Sequence, residues 1–208
     1  MAEKETNRVE AFSDGVFAIA ITLLVLGLVE PHLEVNTSNA ELFSGLLHIW
    51  PSYLGFVISF ITILIMWINH HEVFRLVGRV NKRFLISNGI LLMMVTFINF
   101  PTKVFSSQLQ TESATTGTAF LMGSYVIVSI SFQWWWHEAK KLKRENASDE
   151  TIRRVTKSYA MGVPAYALCL VLAFIWIPAS IALFVGISLF WIIAVKEPIR
   201  MRHSNTKN

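Results

Sequence analysis

Two charged side chains lie just before a long apolar stretch near the beginning of the chain. Arg8 and Asp14 precede a run from Val16 to Val29 in which Thr22 is the one polar residue. An ionisable group inside a membrane-spanning segment is costly unless another group pairs with it or water reaches it. Such groups are typical of ion or proton pathways and of polar contacts between helices, so this stretch is a candidate functional site.

A second group of polar residues ends the next apolar segment. His70 and His71 precede Glu72, and an imidazole beside a carboxylate can carry a proton or bind a metal ion. Neighbouring residues of a helix point about 100° apart, so these three side chains cannot converge on one metal. Trp67 and His71 are four residues apart and therefore share one face of a helix.

Other chemistry finds little support in the sequence. The motifs HExxH, GxxxxGK, GxGxxG and GxSxG do not occur, and the one cysteine, Cys169, excludes a disulfide within the chain. We therefore predict that the protein is not an enzyme and that it needs no metal or cofactor.

The composition is that of an integral membrane protein. Of 208 residues, 53% are hydrophobic and 15% are charged, and the mean hydropathy is +0.50. Because a helix needs about 20 apolar residues to cross a bilayer, we predict an all-α membrane protein. Its six transmembrane helices are predicted at residues 9–29, 49–68, 84–105, 118–136, 158–177 and 178–195. Pro178 divides the last two, and residues 200–208 are predicted to be a disordered tail.

The basic residues separate between the two sides of this bundle. Of the eighteen lysines and arginines, all except Lys103 fall at the N-terminus, in residues 69–83 and 137–158, or in the tail. Since cytoplasmic loops are enriched in such residues, both termini are predicted to be cytoplasmic. The stretch 137–158 could bind nucleic acid, but a solvated helical connection beside anionic lipid headgroups is favoured, with a helix restarting at Asp149. The bilayer is thus a predicted partner and nucleic acid is not.

This topology places polar residues of the first two helices at one level near the inner leaflet. Arg8, Asp14 and His71 can compensate one another's charge there, which lowers the cost of burial. One interpretation is a structural polar network between the two helices, and the other is a proton relay or pH sensor. The structural network is favoured because no further acidic residue or histidine continues a path through the core.

The first helix also carries a separate, mainly apolar face. On a helical wheel it lies within about 60° of Ile19, whereas Asp14 points about 140° away. We call it the Ile19 face, and it comprises Phe12, Gly15, Ile19, Thr22, Leu23 and Leu26. It therefore looks in a different direction from the charged residue, and in a lone bundle it would simply be packing surface.

The residues from Arg8 to Asp14, RVEAFSD, match RxxxFSD. This motif opens the first helix in the transmembrane protein 175 family of lysosomal and prokaryotic potassium channels. The chain resembles that family also in its six predicted helices and in Trp67 and His71 at the inner end of the second helix. The resemblance implies a potassium-selective, leak-type channel in a prokaryotic plasma membrane. Four first helices of a homotetramer would surround the pore, with apolar side chains in place of a carbonyl filter.

The resemblance also implies roles for individual residues. By offset from Asp14, Ile19 would be the inner constriction and Leu26 the outer one, with either Thr22 or Leu23 between them. The polar network that holds the first helix for assembly would comprise Arg8, Ser13, Asp14, Trp67 and His71. Glu30 and Glu34, at the outer mouth, would raise the local concentration of potassium ions.

Two other functions stay open from the sequence. One is a proton-coupled secondary transporter that uses Asp14 and His71, although no clear internal repeat or broken helix pair supports it. The other is a non-conducting membrane scaffold whose basic stretch recruits a partner. Flux measurements on the purified chain separate the three functions.

Overall fold

A computed structural model describes residues 2–31 and 37–194, with the side chains of residues 5–31 and 37–191. These residues form nine α-helices and no strand longer than an isolated bridge. The helices are α1 (Ala2–Leu23), α2 (Asn39–His48), α3 (Trp50–Leu76), α4 (Lys82–Phe97), α5 (Asn99–Gln108), α6 (Ala114–Ala139), α7 (Asp149–Ala160), α8 (Gly162–Ile175) and α9 (Ile177–Ala194). A 3-10 turn, Leu24–Gly27, continues α1, and another, Lys140–Leu142, continues α6.

Five stretches of helix are long and apolar enough to cross a membrane. They are Glu5–Gly27, Trp50–Leu76, Lys82–Gln108, Ala114–Leu142 and Asp149–Ile175, and the apolar helix Ile177–Trp191 is shorter. These stretches fall where the six transmembrane helices were predicted. The predicted class, an all-α membrane protein that crosses the bilayer several times, is therefore confirmed.

Several helix limits differ from the predicted ones. The second helix continues to Leu76 rather than ending at residue 68, because nothing in the polar sequence after Trp67 stops a helix. The third is divided at Ile98 into α4 and α5, since Pro101 has no N–H for the carbonyl of Phe97. The fifth is preceded by α7, and Trp176 alone separates α8 from α9. The predicted tail, residues 200–208, lies outside the described residues.

The first helix packs against α3 and α4, and α6 occupies the centre of the bundle between α4, α5 and α8. Along α1 and the 3-10 turn after it, the buried residues are Thr6, Ser13, Phe17, Ala20 and Leu24, which are spaced by seven, four, three and four positions and so form one face. Trp135 of α6 is fully buried beneath the end of α3. The buried residues of the first helix therefore lie on one side of it.

Two connections meet at the end of the bundle where α1 begins, which we call the basic end because it carries residues 69–83 and 137–158. Val77 and Lys143 form an antiparallel bridge, in which the N–H of Gly78 donates to the carbonyl of Leu142 at 2.9 Å. A Cβ at position 78 would lie 3.1 Å from Cγ and 3.3 Å from Cα of Arg144, so a larger residue there would have to displace Arg144 by a few tenths of an ångström. The helix α7 restarts after this bridge at Asp149, as predicted.

At the opposite end, α2 is a short exposed helix with a complete capping box. The Ser38 hydroxyl accepts from the N–H of Glu41, and the Glu41 carboxylate accepts from the Ser38 N–H at 2.8 Å. These hydrogen bonds from Ser38 lower the pKa of Glu41 below its usual value. Glu30 is exposed at this end, whereas Glu34 lies outside the described residues.

Candidate functional site

The side of α1 away from the bundle is the Ile19 face. All six of its residues are exposed in the single chain, with Phe12 at 65%, Ile19 at 58%, Leu23 at 39% and Leu26 at 70%. Gly15 has no other atom within 4 Å of the position a Cβ would take. A continuous apolar face that is left open on a membrane-spanning helix must contact lipid, another chain or a path for a solute.

One polar group interrupts this face. The hydroxyl of Thr22 donates to the carbonyl of Ile19 at 3.0 Å, one turn earlier in the same helix. A hydroxyl oxygen keeps its lone pairs when its hydrogen is donated, so the exposed Thr22 oxygen can still accept a hydrogen bond or coordinate a cation. It is therefore a polar ligand in an otherwise apolar surface.

The opposite side of α1 is bound to α3 by two polar contacts. The indole N–H of Trp67 donates to Oδ1 of Asp14 at 2.9 Å. One turn away along both helices, Nδ1 of His71 lies 2.9 Å from Oε1 of Glu10. The rings of Trp67 and His71 stack with their centroids 6.2 Å apart. These two contacts fix the rotation of α1 relative to α3 near the basic end.

A second chain of hydrogen bonds binds α1 to α4. The Ser13 hydroxyl donates to the Val9 carbonyl at 2.8 Å and accepts from Nδ2 of Asn88 at 2.9 Å. Because the amide nitrogen of Asn88 is the donor there, its oxygen accepts from Nε2 of His70, also at 2.9 Å. This assigns the hydrogen of His70 to Nε2. Ser13, Asn88 and His70 are all buried, so this chain lies inside the bundle.

Aromatic rings enclose His70. Its imidazole stacks on the indole of Trp135 with centroids 4.4 Å apart and an interplanar angle of 11°. Phe17 and Phe74 contact it at 5.1 and 4.9 Å. Its other nitrogen, Nδ1, is buried and has no hydrogen-bond partner in the described part of the chain. His70 therefore links α1, α3, α4 and α6 by one hydrogen bond and a set of ring contacts.

Four of the five residues predicted for the polar network meet at this place, namely Ser13, Asp14, Trp67 and His71. Arg8 does not join them, and it makes no hydrogen bond or ion pair with any described residue. The reason is its position on the helix: Arg8 lies about 20° from Ile19 on a helical wheel and about 120° from Asp14. Its exposed side chain therefore extends the Ile19 face toward the basic end.

Glu10, Asn88 and His70 are not among the residues predicted for the polar network. Glu10 precedes Asp14 by four residues and so shares its face, which is a signal that periodicity provides. Asn88 lies within an apolar segment, where a polar amide is uncommon and marks a contact between helices. Which partner each group takes depends on the relative rotation of α1, α3 and α4, and a wheel of one helix does not give that.

The same residues could be considered as metal ligands. Ligand atoms of Glu10, Asp14 and His71 all lie within 4.8 Å of one another. Each of the three is already engaged, since Glu10 pairs with His71 and Asp14 accepts from Trp67. A metal ion would have to replace these contacts, so the observed geometry is that of a network between helices.

The chain is similar to known proteins over most of its length. Residues 8–99 match the model of the family described as endosomal/lysosomal potassium channel TMEM175. A protein of Chamaesiphon minutus named a potassium channel is 40% identical over 190 residues, which cover 89% of this chain and 93% of that protein. Another potassium channel, from Streptomyces collinus, is 36% identical over 186 residues, covering 86% and 87%.

A solved structure has the same fold. It is the crystal structure described as a lysosomal potassium-selective channel TMEM175 homolog from Chamaesiphon minutus. The two chains superpose with a TM-score of 0.85 at 37% identity, and the match covers 93% of this chain and 99% of the other. The likeness therefore extends over all the described membrane-spanning helices.

Proposed function

This chain belongs to the TMEM175 family, as the signature in its first helix predicted, and we propose that it works as a potassium-selective channel. The relatives named potassium channels match it over almost their whole length. Family membership supplies the permeant ion, and the observation that carries the mechanism is the exposed Ile19 face of α1. In this proposal that face lines the path of the ion.

A path for an ion needs more than one copy of the chain. A single α1 presents one convex, mainly apolar surface, and it cannot enclose a passage. Identical chains assemble most often with closed rotational symmetry, which brings the same face of each copy to a common axis. The proposed assembly is a homotetramer in which four Ile19 faces surround the axis, as the family resemblance implies.

The constriction is formed by side chains rather than by backbone carbonyls. Ile19 is the inner ring and Leu26 the outer ring, and Thr22 or Leu23 lies between them. A narrow apolar ring cannot be passed by an ion with its full hydration shell, and it can lose its water when it closes. The Thr22 oxygens replace part of the hydration shell and so favour potassium over sodium, while Glu30 raises the cation concentration at the outer mouth.

The polar network has a mechanical role in this proposal. Asp14 with Trp67, and Ser13 with Asn88, hold one side of α1 against α3 and α4. Because directional hydrogen bonds define the rotation of the helix, they also define where its other side points. The network thus orients the Ile19 face toward the axis, and its own residues do not contact the ion.

The charge distribution sets the proposed orientation. The basic end carries four of the arginines and lysines in residues 69–83 and seven in residues 137–158. Positive residues favour the cytoplasmic side, so the basic end faces the cytoplasm of a prokaryotic cell, and the chain lies in its plasma membrane.

Ion flux into liposomes that contain only the purified chain tests the proposed function. We expect a potassium gradient to drive flux that does not saturate and that exceeds sodium flux. Saturable flux that needs a proton gradient would instead indicate a proton-coupled transporter. The absence of ion flux under a potassium gradient would indicate a non-conducting scaffold.

A substitution at the constriction tests the place of the pore. Ile19→Asn should give a wider and wetter path, with a K⁺/Na⁺ permeability ratio lowered by about tenfold, since one polar group for one apolar group changes a barrier by roughly 1–2 kcal/mol. Reversal potentials in planar bilayers measure the ratio. Ile19→Leu keeps an apolar side chain of the same size and serves as the control. Unchanged conductance and selectivity in Ile19→Asn would mean that this face is only packing surface.

A further inference from the structure

The part of α1 away from the basic end is contacted where the third membrane-spanning segment is interrupted. This segment changes from α4 to α5 at Ile98, and α5 begins with Asn99. Pro101 accounts for this interruption because its nitrogen carries no hydrogen for the carbonyl of Phe97. A polar side chain at the start of α5 can then bond outside its own helix.

The side-chain amide of Asn99 uses that freedom to bind α1. Its Nδ2 donates to the carbonyl of Thr96 at 3.2 Å, within its own segment, and to the carbonyl of Ala20 at 3.3 Å. Ala20 is fully buried on the side of α1 that packs against the bundle. A carbonyl oxygen has two lone pairs, so Ala20 can accept from Asn99 in addition to a helical N–H.

The bonded carbonyl lies where α1 changes its winding. The α-helix ends at Leu23, and Leu24–Gly27 continues as a 3-10 turn that packs against α3 and α5. A 3-10 turn is tighter and longer per residue than an α-helix, so the place of the change sets the direction of every later side chain. Leu26 follows the change and Ile19 precedes it.

The other end of the Asn99 amide supports a specific role. Its Oδ1 is buried and has no hydrogen-bond partner among the described residues. An unpaired buried oxygen destabilises a fold, and an apolar side chain of similar shape would avoid that cost. The benefit that remains for an amide at this position is its N–H, which is directed at α1.

We propose that Asn99 is a positioning residue for ion selection, whose amide holds the Ala20 carbonyl and thereby fixes where α1 changes from α-helix to 3-10 turn. This inference rests on the proposed function, because Leu23 and Leu26 matter for selection only if the Ile19 face lines the pore. Asn99 acts through the backbone of α1 and does not contact the ion.

Asn99→Leu tests this role, because leucine has a similar volume and cannot donate. We expect the K⁺/Na⁺ permeability ratio from reversal potentials to fall by about fivefold, the factor that corresponds to one net hydrogen bond. The matched control is Thr96→Val, which removes a hydroxyl whose hydrogen bond, among the residues that the structure describes, goes to the Leu92 carbonyl of its own helix. This control should keep the ratio of the wild-type protein.

The possible results separate the inference from the function on which it rests. A wild-type protein that does not select potassium would overturn the proposed function. A selective wild-type protein whose Asn99→Leu variant keeps its ratio, or loses only conductance or oligomer yield, would overturn the role of Asn99 alone. An equal shift in Thr96→Val would also do so. If Asn99→Leu forms no oligomer of wild-type size, Asn99→Ala removes the amide without adding volume, and the same fall in the ratio is expected.

Discussion

From Glu10 to Asp14, α1 is held by side-chain hydrogen bonds to α3 and α4, whereas from Phe17 to Gly27 apolar packing and the amide of Asn99 hold it. Hydrogen bonds are directional, and several of them on one side of a helix allow only one rotation of that helix about its axis. Packing is less directional and accepts a change of winding, as the 3-10 turn at Leu24 illustrates. The half of α1 near the basic end therefore fixes the rotation of the helix, and the half away from the basic end determines the shape of its exposed face.

The largest effect on assembly is expected when the hydrogen bonds that fix the rotation of α1 are removed. Asp14→Ala takes the acceptor from the indole N–H of Trp67, which is half-buried, so the cost is part of the about 1–3 kcal/mol that a fully buried unpaired donor carries. We expect the proposed tetramer to be lost, as measured by light scattering during size-exclusion chromatography in detergent. Glu30→Ala, an exposed carboxylate beyond the other end of α1, is the control. A stable and fully conducting Asp14→Ala tetramer would contradict the role given to the network.

A smaller and more selective effect is expected at Arg8, which is exposed and makes no hydrogen bond or ion pair with the other described residues. Arg8→Ala should weaken assembly, because this side chain lies on the face that meets other copies in the proposed tetramer. The stability of the dissociated chain should stay within about 0.5 kcal/mol of wild type, as is usual for exposed sites. Oligomer yield and denaturant unfolding of the monomer measure the two properties. Equal losses in both would place Arg8 in the contacts within one chain.

The smallest effect is expected at the pair of His71 and Glu10. The imidazole is 46% exposed and the carboxylate 22%, so water screens their interaction. Partly exposed ion pairs contribute about 0–1 kcal/mol, and we expect Glu10→Gln and His71→Gln each to lower thermal stability slightly. The double variant should lose no more than the larger single loss if the two side chains act only on each other. Additive losses would show that each has a separate partner.

The two sides of α1 differed in how well the sequence predicted them. The Ile19 face follows from one period of 3.6 residues, and all six of its predicted members are exposed. Predicting the polar side would have required knowing its partners on other helices. Arg8 was predicted to belong to the polar network, whereas in the structure Glu10 makes the contact with His71. Charge alone suggested an arginine beside Asp14, but the geometry of the helix directs Arg8 to the opposite side.

The ends of helices were also hard to predict from the sequence, because they depend on contacts with other helices. Pro101 carried the signal for the division of the third segment, yet its effect depends on whether neighbouring groups satisfy the freed carbonyl. Asn99 could be recognised as a polar residue in an apolar segment, but its bond to Ala20 spans 79 positions of the chain. A contact of that kind becomes visible only when two helices are placed side by side.

Trp176 is the one residue that separates α8 from α9, and it leaves no aqueous loop between two strongly apolar helices. During synthesis these helices must therefore enter the bilayer together as a hairpin, because an apolar helix that stayed outside the bilayer would be exposed to water. The orientation of the pair is then set by the charged residues that precede α8. A peptide tag inserted at Trp176 would interrupt this step of membrane entry, whereas one inserted near Asn146, at the basic end, would extend an existing connection.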